Sequence, residues 1–122
     1  MSQTVRALRG ATTVENDTVE EVTESMHELL AAMLERNGVT KDDLVSIIFT
    51  ATGDVVSMFP AAAARSMGLG DVPLLCAREL DVAGSVPRCL RVLIHLMTDR
   101  SRDQMVHVYL RGARSLRDDL PG

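Results

Sequence analysis

The sequence predicts an α+β domain in which a mixed β-sheet packs with two main helices. Three observations carry this reading. Apolar residues from Val22 to Leu34 recur at three- and four-residue spacing, the period of a half-buried helix. The apolar, β-branched runs Leu44 to Thr52 and Leu90 to Met97 have the length of strands. Pro60, followed by four alanines, suits the start of a second, shorter helix.

Taken in order, Thr4 to Arg9 alternates imperfectly and precedes Gly10, which predicts a first strand ending at a turn. Thr18 and Glu21 form the S/T-x-x-E signature that opens a helix. Val22, Met26, Leu29, Leu30, Met33 and Leu34 mark its buried face, and Asn37-Gly38 supplies the stop. Leu44 to Thr52 reads as a central strand closed by Gly53-Asp54, and the alanine helix after Pro60 ends at Gly68. Val72 to Ala77 predicts a brief strand and Glu79 to Pro87 a turn-rich passage. Leu90 to Met97 is read as strand on its shortness, and Val106 to Leu110 as the last strand. The polar segment 113–122 is expected to be a mobile or ligand-dependent tail of a single domain over 1–122.

Composition narrows the function. At 122 residues the chain is expected to bury only about 65 to 70% of its unfolded surface, so an oligomer is a natural supplement. Thirteen basic against 17 acidic residues give a charge of −4, and there is one Tyr, two Phe and no Trp. Nucleic acid is therefore a poor partner, lacking both a basic face and stacking aromatics. No apolar run approaches the roughly 18 to 20 residues of a membrane span, and Met1 to Gly10 lacks the apolar centre of a secretion signal, so no membrane and a cytoplasmic location are expected. Cys76 and Cys89 form neither a disulfide framework nor zinc spacing and read as reduced thiols. His27, His95 and His107 are scattered, so no metal is expected, and no phosphate-binding glycine motif is present.

Twelve of the 13 basic residues are Arg. Most serve a solvated surface, but arginines lodged in apolar sequence suit a small anionic ligand, because the planar guanidinium reads carboxylates with two parallel bonds. Arg9, Arg65, Glu79, Arg91 and Tyr109 are the polar groups so placed. Two readings follow from the residues alone: a structural ion pair between Arg91 and Glu79, or an arginine-rich pocket in which Glu79 accepts a hydrogen bond from a ligand hydroxyl.

R-G-A-T-T-V-E at 9 to 15, A-T-G-D at 51 to 54, F-P-A-A-A-A-R at 59 to 65, C-A-R-E-L-D-V at 76 to 82, C-L-R-V at 89 to 92 and H-V-Y-L at 107 to 110 stand in order over nearly the whole chain. In these strings the sequence resembles the AroH-class, Bacillus-type monofunctional chorismate mutases. The resemblance implies the Claisen rearrangement of chorismate to prephenate, on the way to phenylalanine and tyrosine, with no cofactor or metal. It also implies a homotrimer with a barrel-like core of packed sheets and clefts at subunit interfaces. Arg91 would face the ether oxygen, Arg9 and Tyr109 would bind carboxylate, and Glu79 with Cys76 would hold the ring hydroxyl. Phe59 would form an apolar wall, Arg65 would add positive potential at the mouth, and Leu116 and Arg117 would close over the ligand as residues 113–117 order. The sequence departs from relatives in the apolar Leu74-Leu75 before Cys76 and in ending at Gly122, soon after the closing segment. Competing readings are a RidA-like enamine or imine deaminase and a non-catalytic trimeric sensor of an aromatic-pathway metabolite.

Overall fold

The computed structural model describes residues 2–119, with side chains described through residue 116. Five strands form one mixed sheet: β1 (Thr4–Thr13), β2 (Leu44–Ala51), β3 (Leu74–Arg78), β4 (Cys89–Thr98) and β5 (Val108–Tyr109), in the order β3-β2-β4-β1-β5. The long central β4 runs antiparallel to both β1 and β2, while the outer strands β3 and β5 lie parallel to β2 and β1. Helices α1 (Val19–Arg36) and α2 (Pro60–Ala64) pack together on one face of this sheet. A wider helical turn, Arg65–Leu69, prolongs α2, with Gly68 at φ +87°.

Alternation along each strand divides the residues between two faces. The helix-covered face carries Leu8 of β1, Ile47 and Phe49 of β2, and Leu90, Val92, Ile94 and Leu96 of β4, all buried. Val22, Met26, Leu29, Leu30 and Met33 of α1 close over them. This is the periodic face expected from the sequence.

Three local expectations are corrected. Gly10 does not end β1, which continues to Thr13; it lies under α1, where a Cβ would collide with Met33 Sδ and lie 3.2 Å from Leu29 Cδ1. Glycine there permits close helix–strand approach, so its role is packing and not a turn. The helix-opening motif is one-sided: Thr18 Oγ1 accepts from Glu21 N at 3.2 Å, while the Glu21 carboxylate accepts from the backbone of Glu15 and Asn16. The last strand shrinks to Val108–Tyr109, since only Gly10 and Ala11 of β1 pair with it. Beyond it, Arg111–Asp119 forms 3-10 turns, with Ala113 fully buried.

Candidate active site

The site lies on the sheet face that the helices leave uncovered. Arg9 pairs with Leu93, Ala11 with Arg91 and Thr50 with Arg91, so these side chains share that face, and Tyr109 joins them opposite Ala11. Arg91 thus stands at the middle of the sheet between two small neighbours, Ala11 and Thr50, which leave its long side chain room. The residues before and after it, Leu90 and Val92, are buried in the core and anchor its backbone.

Glu79 follows β3 and prolongs its ladder, with its N–H donating to Ala51 O at 3.0 Å. The carboxylate reaches back over β2. Thr50 Oγ1 donates to Glu79 Oε2 at 2.5 Å, and Arg91 Nε lies 3.6 Å from the same oxygen. The Glu79 side chain is 23% exposed and that of Arg91 50%, so the pair is half-open to solvent and its guanidinium retains donors for a ligand. Arg9, Arg91, Glu79, Tyr109 and Leu116 line one cavity of about 350 Å³, floored by Ile48 and Leu93. An apolar floor under a few convergent charges is the usual construction of a small-molecule site.

Not every expected residue arrives there. Cys76 pairs with Phe49 and so belongs to the opposite face; with Phe59 and Arg78 it lines a separate hollow of about 770 Å³. Phe59 is 72% exposed at the start of α2. Arg65 is exposed at the end of α2, on neither cavity. The Arg117 side chain lies outside the described residues. Among the described residues no group of His, Cys, Asp and Glu is arranged to hold a metal, and no helix is long and apolar enough to cross a membrane.

Two participants escaped the sequence reading. Thr50 stands inside the apolar run read as a central strand, and its place one residue after Phe49 puts it on the cavity face. His107, one of the scattered histidines, accepts a hydrogen bond from the Arg9 backbone N–H through Nδ1 at 3.0 Å. Burial, and then the Arg9 charge, hold its pKa below the ordinary histidine value. Burial likewise raises the Cys89 thiol, with nearby Arg91 opposing, so Cys89 is an inert core thiol under the site.

The family described as chorismate mutase type I matches residues 5–120. The chain belongs to that family. A chorismate mutase AroH from Thermus thermophilus is 52% identical over 117 residues, covering 95% of this chain and 96% of that protein. The chorismate mutase AroH of Bacillus subtilis is 42% identical over 117 residues, 95% of this chain and 92% of its own. A solved chorismate mutase from Clostridium thermocellum superposes with a TM-score of 0.89 at 46% identity, over 90% of this chain and 98% of that one. These chorismate mutases support the mutase reading over the deaminase and sensor alternatives, and the solved one shares this chain's fold.

Proposed function

We propose that the open-face cavity binds chorismate and rearranges it to prephenate, serving phenylalanine and tyrosine biosynthesis. The observation that carries this reading is the convergence of Arg9, Arg91 and Glu79 on one cavity in a chain so similar to chorismate mutases. The reaction is an intramolecular isomerisation: the ether carbon–oxygen bond breaks while a carbon–carbon bond forms, and no proton is transferred. Such a step needs a held conformer and charge placed in advance.

In this reading Arg91 meets the negative charge that grows on the ether oxygen, and Arg9 and Tyr109 bind the substrate carboxylates. Glu79, fixed by Thr50, accepts a hydrogen bond from the ring hydroxyl, assisted by Cys76. Leu116, which lines the cavity, closes it over the ligand. Cys76 and Phe59 lie off the cavity within one chain, which supports a homotrimer whose sites draw on two subunits, with Phe59 as an apolar wall and Arg65 at the mouth. Exposed Leu75, Leu80 and Val82, on and just after the edge strand β3, are further support for such contacts. The free thiols Cys76 and Cys89 suit a cytoplasmic setting.

The test is the loss of chorismate absorbance with purified protein, with prephenate confirmed by acid conversion to phenylpyruvate. Wild type is expected to turn over. Arg91→Ala should lower kcat by about 10²- to 10³-fold with a much smaller change in KM, as for an interaction made mainly in the transition state. Arg91→Lys should fare nearly as badly, since an ammonium on a different stem cannot present the guanidinium fork. No turnover by folded wild type overturns the function, and an unchanged kcat in Arg91→Ala overturns the role of Arg91.

A further inference from the structure

Just before β5 joins β1, the chain is held by side chains. Asn37, at the end of α1 and 2% exposed, accepts from Val106 N–H at 2.7 Å through Oδ1. Its Nδ2 donates to Val106 O at 2.9 Å and to Met33 O at 2.8 Å. The strand entering β5 is thereby pinned at residue 106. Val108 and Tyr109 then pair with Gly10 and Ala11, where the short parallel ladder begins. One step outside that ladder the Arg9 N–H meets no backbone carbonyl; its acceptor is the imidazole Nδ1 of His107. The Arg9 side chain extends from that same residue into the cavity.

A ring nitrogen accepts only while it carries no proton, so this contact exists only with neutral His107, protonated on Nε2. We propose that His107 is a positioning residue for substrate binding: its neutral imidazole fixes the Arg9 backbone, and with it the guanidinium that receives a carboxylate, and protonation of the ring releases both. The inference rests on the function proposed above and adds a pH-sensitive support to it. The charged group that acts on the ring is Arg9 of β1, and α1 meets this corner through the uncharged Asn37. Burial and the Arg9 charge both oppose protonation, so the contact survives at neutral pH and is lost only below the ordinary histidine value of 6.5.

The experiment compares chorismate kinetics of wild type, His107→Asn and His107→Leu at about pH 8 and about pH 5, alongside the ¹⁵N shift of the Arg9 amide. In wild type KM is expected to rise about threefold to tenfold on acidification, with kcat changing less, on the usual worth of one hydrogen bond. His107→Asn should hold a low KM at both values, because its Oδ1 takes the place of Nδ1 and does not titrate. His107→Leu should show the raised KM at both. The Arg9 amide should move with pH in wild type and stay still in His107→Asn. A pH step that persists in His107→Asn belongs to another group and overturns the inference, as does a wild-type KM unchanged by pH. Wild type without turnover at either pH overturns the proposed function and the inference with it. Should His107→Leu fail to fold, the other two proteins decide the matter.

Discussion

Toward the helices β4 presents Leu90, Val92, Ile94 and Leu96, each no more than 3% exposed; toward the other side it presents Arg91, Leu93 and His95. β1 divides in the same way, with Leu8 and Gly10 under α1 and Arg9 and Ala11 on the cavity. The two faces are built from adjacent residues of the same strands, yet one is a closed apolar core and the other holds the charges. The difference teaches how the site is stiffened without being buried. A charged residue between two fully packed neighbours inherits their fixed backbone, while its own side chain keeps access to water and ligand. A slip of one residue in register would exchange the two faces, so core packing also selects the arrangement of the candidate site.

This contrast can be sharpened first at its apolar extreme. Phe49→Ala, which empties a fully buried site on the covered face, should cost about 3 to 5 kcal/mol of stability in denaturant unfolding, yet leave kcat per folded molecule close to wild type. A large loss of kcat with stability intact would break the division of labour between faces. Gly10→Ala probes the boundary, because the new methyl would press on Met33 while the same backbone lines the cavity. Overpacking should cost about 1 to 3 kcal/mol, read as a lowered unfolding midpoint, and any KM change should follow displacement of Arg9 next to it. The smallest effect is expected at Arg111, held at φ +52° with Nε 3.1 Å from Glu28 and an Nη 3.7 Å from Glu24 of α1. Arg111→Ala should free the start of the segment that carries Leu116 and raise KM about two- to threefold at low salt, a difference that added salt erases. A salt-independent change would point to backbone strain at the left-handed residue in place of the ion pairs.

Much of the fold was readable in advance because it is written between neighbours in sequence. The face of α1, its Thr18 start and Asn37-Gly38 stop, the strand character of Leu44 to Ala51 and Cys89 to Thr98, and Pro60 at the head of α2 follow from local spacing and backbone preference. Misreadings gathered where a distant element decided. Gly10 has the look of a turn, but the crowding that explains it comes from Met33, far along the helix that follows. Asn37 was legible as a helix stop; its second task, gripping Val106, depends on a segment 69 residues away. Of the site, Arg9, Glu79, Arg91 and Tyr109 were visible as polar groups in apolar surroundings. Thr50 and His107 were not, since a threonine in a β-branched run and an isolated histidine carry no local mark of what they face.

By itself, then, the sequence determined the class of fold, the helix faces and the resemblance in which the functional reading began, all properties of residue type and spacing. Tertiary structure alone decided that Arg91 lies between Ala11 and Thr50, that Glu79 reaches back to both Thr50 and Arg91, and that Cys76 turns to the other face. Those outcomes depend on which strands pair and in which register, and pairing is set by the summed burial of a whole face under α1, a quantity no single stretch of chain contains.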